Sequence, residues 1–120
     1  MGSLLRIAPE IPVFDIRKAL DYYGAKLGFQ TAMTMPQGDY AIVERDGVAI
    51  HLFQARAGVS PASMHIFAGG LDELHAELRH RGALVTQEVV RKPWGNREFR
   101  VHDDSGNEIK FTEALGELAP

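Results

Sequence analysis

The chain has 120 residues, of which 45% are hydrophobic and 24% are charged, with 12 glycines, 6 prolines and no cysteine. This composition is typical of one globular domain, and the lack of cysteine excludes disulfides, thiolate nucleophiles and cysteine-ligated metal sites. Thirteen basic against 16 acidic residues give a formal charge of −3, without the basic patch that nucleic-acid binding requires. No apolar run approaches the ~20 residues that span a bilayer, and the first residues are too weakly basic for a signal peptide. We therefore expect a cytoplasmic protein with neither nucleic acid nor membrane as a partner.

The first half of the chain predicts one βαβββ unit. Residues 7–13 form a short apolar segment, and its two prolines are typical of an edge strand or of a strand that leaves its own subunit. A helix follows, with Asp15 as its N-cap and Gly28 as its end. Its buried face is predicted to consist of Ile16, Ala19, Leu20, Tyr23 and Leu27. Strands are then predicted over residues 29–35, 39–44 and 48–53, and a hairpin at Asp46-Gly47 joins the last two.

The second half repeats this pattern after a linker over residues 55–61. A strand is predicted over 62–68, a helix from Leu71 to Gly82, and further strands over 84–90, 97–102 and 107–112. With one residue inserted in the second turn, Val43, Gly47, Ile50 and Leu52 align with Val101, Gly106, Ile109 and Phe111, and residues 26–29 align with 79–82. The sequence therefore predicts an α+β fold of two tandem βαβββ modules, at about 5–54 and 62–113, in a single domain over 1–120.

The predicted modules leave surface uncovered, because a four-stranded sheet with one helix buries only one of its two faces. Two such sheets are expected to form curled half-barrels. Their open faces would be closed by a ligand, by the other half of the chain or by a second chain, and 120 residues suffice for a core of this kind.

Three segments carry a family resemblance: residues 11–29, the helix over 70–78, and the block over 92–107 with Lys92-Pro93-Trp94-Gly95 at its start. They resemble the glyoxalase, bleomycin-resistance and extradiol-dioxygenase superfamily, also called vicinal oxygen chelate proteins. The last two segments are most similar to the bleomycin-resistance branch. That branch implies an antibiotic-resistance homodimer with two ligand crevices at the subunit interface, which sequesters a large cationic glycopeptide without chemistry. The first module would then be completed by the partner chain through its N-terminal strand.

The resemblance also implies four positions at which enzymes of the superfamily hold a divalent metal ion. Here these positions correspond to Ala8, His51, Ser63 and Lys110. Only His51 can bind a metal, and the ammonium of Lys110 would repel one, so we expect no metal cofactor. Since alternate residues of a strand share a face, a second set of Glu10, His51 and His65 stays open. The remaining histidines, His75, His80 and His102, are expected on solvated surfaces.

Trp94 is the candidate centre of the ligand site. It is the only tryptophan, and Pro93 and Gly95 hold it on a stiff loop before a strand. The resemblance implies that its indole stacks on a planar heteroaromatic group, while the alternative is that it covers the core or the dimer contact. The other expected ligand contacts are His51, Met33, Met35, Phe67, Glu98 and Lys110. Basic residues near Trp94 suit an anionic or zwitterionic ligand as well as a cationic one.

The leading functional prediction is metal-independent binding of a small or medium aromatic ligand or antibiotic, with no catalytic residue assigned. The alternative is a glyoxalase-like lyase or dioxygenase-like enzyme that uses Glu10, His51 and His65 around one divalent metal ion. A structural or regulatory dimer with an empty crevice is the third possibility. Glu98 is a conceivable general base only if its surroundings raise its pKa.

Overall fold

The structure, a computed structural model, describes residues 1–114 and contains two modules of the same topology. Its elements are β1 (Glu10–Val13), α1 (Ile16–Leu27), β2 (Gln30–Thr34), β3 (Tyr40–Arg45), β4 (Val48–Gln54), β5 (Ser63–Phe67), α2 (Leu71–Arg81), β6 (Leu84–Arg91), β7 (Arg97–His102) and β8 (Glu108–Glu113). The strands form two four-stranded sheets, ordered β1-β4-β3-β2 and β5-β8-β7-β6. In each sheet the first strand runs parallel to the last and the other pairs are antiparallel. The predicted α+β fold of two tandem βαβββ modules is confirmed.

The two helices end at the glycines that the sequence indicates. Gly28 and Gly82 both adopt the left-handed conformation at the C-cap, with φ of 74° and 85°, where a side chain would be strained. These glycines are therefore structurally equivalent, and the alignment of residues 26–29 with 79–82 is wrong by one residue. At the start of α1, the side chain of Asp15 accepts a hydrogen bond from the backbone N–H of Lys18, as expected for an N-cap. No helix among the described residues is long and apolar enough to cross a membrane.

Strand β1 completes the first sheet of its own chain. It pairs in parallel with β4, and the backbone N–H of His51 donates to the carbonyl of Pro9. This corrects the expectation that the partner chain completes the first module. Only one edge of β1 is paired, so the lack of an N–H at Pro12 is tolerated on the other edge. The strand begins at Glu10, three residues after the start of the apolar segment.

The modules pack against each other through their helices, and the third strand or following turn of each module contacts the helix of the other. Tyr23 on α1 donates to Asp103 after β7, at 2.8 Å, and Arg45 at the end of β3 donates to Glu77 on α2, at 2.7 and 3.0 Å. The buried core lies between each helix and the inner face of its sheet. It includes Ile50 and Leu52 of β4 as well as Phe99, Val101, Ile109 and Phe111 of the second module.

Candidate functional site

Each sheet has one face that no helix covers, as the half-barrel prediction requires. Along β4, Ile50 and Leu52 are buried under α1, so His51 and Phe53 lie on the opposite face, as expected for alternating side chains. We call this the first open face, and by register it comprises Glu10, Met33, Tyr40, Ile42, Glu44, His51 and Phe53. The second open face is the equivalent surface of the other sheet, and it comprises His65, Phe67, Glu98, Arg100, Glu108, Lys110 and Thr112.

A hydrogen-bonded chain of three side chains crosses the first open face. The hydroxyl of Tyr40 donates to Oε2 of Glu10 at 2.6 Å, and the same oxygen lies 2.7 Å from Nδ1 of His51. Glu10 and His51 are direct neighbours on the parallel strands β1 and β4. The hydrogen bond to Glu10 raises the pKa of Tyr40, so this hydroxyl keeps its proton at neutral pH.

A cavity of about 500 Å³, lined in part by Tyr40, adjoins these three hydrogen-bonded side chains at the edge of the first open face. Its lining includes Met33 and Met35, which the sequence predicts as ligand contacts, together with Tyr40 and Phe53. A register shift in β2 between Thr31 and Met33 brings Met33 opposite Ile42 and so onto the open face. The flexible thioethers give this wall an adaptable apolar surface.

Glu98 is the most deeply buried charged residue of the second open face, at 3% exposure. Arg100 donates to its Oε2 at 2.7 Å, Gln87 donates at 3.3 Å, and the ammonium of Lys92 lies 3.8 Å away. Burial by itself would raise the pKa of Glu98, but the hydrogen bond and charge of Arg100, with the charge of Lys92, lower it below its ordinary value. Glu98 is therefore an ionised structural partner of cations and is unsuited to act as a general base at neutral pH.

The two open faces differ in charge. On the second face, Glu108 lies 3.6 Å from Arg100 and 3.8 Å from Lys110. Together with Glu98, this gives two carboxylates against the three cations Lys92, Arg100 and Lys110. On the first face, the described residues of β1 to β4 present carboxylates but no lysine or arginine, because Arg45 turns to the helix side. The first face is thus acidic, and the second is slightly basic.

Trp94 lies on a braced turn and is 64% exposed. The backbone N–H of Lys92 donates to the carbonyl of Asn96 at 2.7 Å, and that of Gly95 donates to the carbonyl of Lys92 at 2.9 Å. Gly95 has a φ of 103°, which a larger residue would adopt only with strain. The indole does not cover the core of its own chain, so that part of the alternative is wrong, whereas a role of Trp94 at the dimer contact stays a prediction. Phe67, at the end of β5, is also half exposed and stacks on His65.

Comparison with known proteins decides the family. A family model described as "Glyoxalase superfamily protein" matches residues 3–117. The chain belongs to this superfamily. It is 29% identical to a bleomycin resistance protein from Geobacillus stearothermophilus, over 93% of this chain and 98% of the relative. The copper(II)-bleomycin complex of a bleomycin-binding protein from Streptomyces verticillus has the same fold, with a TM-score of 0.81, 24% identity, and coverage of 96% of this chain and 100% of that one.

A bleomycin resistance determinant encoded on the transposon Tn5 also has this fold, with a TM-score of 0.81 and 18% identity over 94% of this chain and 100% of that one. These similarities place this vicinal oxygen chelate protein near the bleomycin-resistance branch of its superfamily.

The strand register separates the three residues of the alternative metal site, Glu10, His51 and His65. The strand register pairs Glu10 with His51, but His65 lies on the other sheet, opposite Lys110, with its Nδ1 3.0 Å from the hydroxyl of Thr112. Across residues 1–114 of one chain, no three histidine, aspartate or glutamate side chains converge as metal ligands. The donor set of Glu10, His51 and His65 is therefore not assembled within the chain.

The sequence pattern does not predict the contacts that Tyr40 and His75 make in this superfamily member. Tyr40 links Glu10 to His51, and the only signal for it is that alternation places the three side chains on one face. His75 is not solvated as expected, because its ring packs edge-on against Phe99 at 5.0 Å and also contacts Glu88. His102 is only partly exposed and lies 3.7 Å from Glu108, whereas His80 is exposed as expected.

A cavity of about 400 Å³ lies between the two modules, and no sequence pattern indicates it. Its lining includes Leu27, Phe29, Arg45, Val48, Ile66, Leu74, Glu77 and Phe111. It lies mainly on the helix side of the sheets, and Phe67 of the second open face also lines it.

Proposed function

We propose that this protein binds a planar aromatic antibiotic of the bleomycin type and sequesters it without chemical change. The observation that carries the proposal is Trp94, whose exposed indole is held by a hydrogen-bonded turn beside the second open face. An aromatic ring fixed in this way offers a stacking surface at little cost in conformational entropy. The 29% identity to a bleomycin resistance protein supports the same ligand class. In the cytoplasm, binding alone would protect the cell by mass action.

The ligand site is completed by a second copy of the chain. Each open face is a four-stranded surface with exposed or half-exposed apolar side chains, among them Phe67, Met33 and Phe53. The acidic first face of one copy and the slightly basic second face of another are complementary, which favours a homodimer with two equivalent crevices. Trp94, His51, Met33, Met35, Phe67, Glu98 and Lys110 are then the candidate contacts for the ligand.

Ligand binding in this crevice does not use a metal ion of the protein. Lys110 occupies one metal position of the superfamily, and its ammonium lies near Glu108, where it opposes a divalent cation. Stoichiometric zinc, manganese, iron or nickel in purified protein, measured by elemental analysis, would contradict this part of the proposal. It would favour the alternative, a metal-dependent lyase or dioxygenase in which the partner copy supplies the missing ligands.

The decisive experiment is a titration of tryptophan fluorescence with bleomycin, both copper-free and copper-loaded. Because Trp94 is the only tryptophan, any quenching reports on this turn. We expect saturable quenching with about one drug molecule per chain. In Trp94→Ala, calorimetry should show binding weakened by about tenfold or more, as for the loss of an aromatic anchor.

Phe14→Ala is the matched control for this titration, since Phe14 is 58% exposed but lies after β1, where its backbone contacts Ser105 of the other module. This variant should bind bleomycin like the parent protein. Unchanged fluorescence at high micromolar drug, together with no heat in calorimetry, would exclude bleomycin as the ligand.

A further inference from the structure

On the first open face, the hydroxyl of Tyr40 has one proton but two neighbours that could accept it, Glu10 and His51. The oxygen of Tyr40 lies within hydrogen-bond distance of both Glu10 Oε2 and His51 Nδ1, at 2.6 and 2.7 Å. A carboxylate is acceptor only, so the proton of Tyr40 belongs to the bond with Glu10. The second contact therefore needs a proton from the imidazole.

This proton count fixes the state of His51. Its Nδ1 must carry a hydrogen and donate it to the oxygen of Tyr40. In the neutral imidazole the other nitrogen, Nε2, then has a free lone pair and acts as a hydrogen-bond acceptor. This is the less common tautomer of a neutral histidine side chain in water, so it requires the two neighbours that hold it here.

We propose that Tyr40 is a positioning residue that holds His51 in the Nδ1–H tautomer, so that Nε2 of His51 accepts a hydrogen bond from an amine N–H of the ligand. Glu10 supports this in two ways: it takes up the proton of Tyr40, and it adds negative charge beside the acceptor. The inference deepens the proposed function, because it names the ligand group that this part of the crevice recognises.

The surroundings of His51 favour a cationic amine over an anionic group. The described strand residues of the first open face contain Glu10 and Glu44 but no lysine or arginine. A protonated amine donates N–H bonds and is attracted by carboxylates, whereas a ligand carboxylate would meet like charge and a lone pair. The aromatic part of the same ligand would extend toward the methionine-lined cavity, which Tyr40 also lines.

The tautomer can be measured in the ligand-free protein by long-range ¹H–¹⁵N NMR of the histidine rings. Spectra are recorded at rising pH until the ring shifts stop changing, and in that neutral state the ¹⁵N shifts distinguish Nδ1–H from Nε2–H. His51→Gln assigns the signal by its disappearance. We expect the parent protein to hold His51 mainly as Nδ1–H. A parent spectrum with His51 mainly as Nε2–H would overturn the proposal.

Two variants test the roles of Tyr40 and Glu10 separately. Tyr40→Phe removes the acceptor for Nδ1–H, and Glu10→Ala leaves the hydroxyl free to donate to Nδ1 instead. Both should convert His51 to the Nε2–H form, although only the first removes the hydroxyl. Glu44→Ala, which removes another carboxylate of the same face, should leave the tautomer unchanged. If Tyr40→Phe and Glu10→Ala both retain the Nδ1–H form, Tyr40 has no positioning role.

The ligand class is tested with two probes of similar shape and opposite charge, benzylammonium and benzoate. We expect benzylammonium at millimolar concentration to shift the Nε2 signal of His51 in the parent protein, and this shift to fall severalfold in Tyr40→Phe. Equal shifts with both probes, or no shift with benzylammonium, would overturn the amine assignment. Neither NMR result depends on bleomycin, so failure of the fluorescence titration and failure of this inference are distinguishable.

Discussion

Equivalent positions of the two modules form two contacts between modules, yet these contacts differ in burial. Tyr23 and Glu77 each lie five residues before the glycine that ends their helix, and Arg45 and Asp103 each follow an aligned valine by two residues. Tyr23 meets Asp103 in a fully packed interior, with exposures of 0% and 2%. Glu77 meets Arg45 at the edge of the intermodule cavity, where both side chains are partly exposed. We call the buried Tyr23–Asp103 contact the tight side of the interface between the modules, and the partly exposed Arg45–Glu77 contact the loose side.

The tight side owes its strength to complete hydrogen bonding of a buried charge. Asp103 accepts from Tyr23, from the backbone N–H groups of Ser105 and Asn107, and from the side chain of Asn107, at 2.8 to 2.9 Å. Asn107 also donates to the carbonyl of Pro12, which ties β1 to the second module. A satisfied network of this kind makes a contact specific, because each group lost leaves another unpaired.

The largest effect is expected from Asp103→Ala, which removes the centre of the buried contact. Four hydrogen-bond donations lose their acceptor, including two from the backbone of the turn. We expect a loss of about 3 kcal/mol or more in the free energy of unfolding, measured by urea denaturation. A loss below about 1 kcal/mol would show that the contact is not the stronger of the two.

An intermediate effect is expected from Tyr23→Phe, which keeps the packing of the ring and removes only its hydroxyl. Asp103 keeps its other donors, so the loss should be about 1 to 2 kcal/mol. Burial, and secondarily the charge of Asp103, raise the pKa of Tyr23 well above its ordinary value. A raised pKa stabilises the fold below about pH 10, the unfolded value, and this stability is lost as the pH rises further.

The parent protein should therefore lose stability more steeply than Tyr23→Phe above about pH 10. Urea midpoints measured between neutral and strongly alkaline pH provide the comparison. Phe14→Ala is the control, because it removes an exposed aromatic side chain but no ionisable group. Parallel alkaline profiles of the parent and Tyr23→Phe would contradict the raised pKa of Tyr23.

The smallest effect is expected from Glu77→Gln, on the loose side. The carboxylate pairs with Arg45 and with Arg81, at 2.7 and 2.8 Å, but solvent screens both pairs. We expect a loss of at most about 1 kcal/mol, reduced further by added salt. The hydrogen bond from Arg45 lowers the pKa of Glu77, so this contribution is present at neutral pH and disappears as the pH falls below about 4. A loss as large as that of Asp103→Ala would remove the distinction between the two sides.

The amino-acid sequence by itself determined the elements of this protein and their duplication. Helix ends at Gly28 and Gly82, the N-cap at Asp15 and the alternation along β4 are local properties, set by backbone conformation and by side-chain periodicity. The family resemblance indicated the positions of His51 and Lys110, and the structure places both on open faces, each between two buried neighbours of its strand.

Only the tertiary structure decided what those residues contact. That β1 joins its own sheet, that Tyr40 connects Glu10 to His51, and that Arg100 and Lys92 neutralise Glu98 all depend on which strands pair and in which register. Register is a choice among distant segments, and a shift of one residue moves a side chain to the opposite face. The contrast between a packed contact at Asp103 and an open one at Glu77 likewise arises from how the modules pack, since their patterns along the chain are nearly the same.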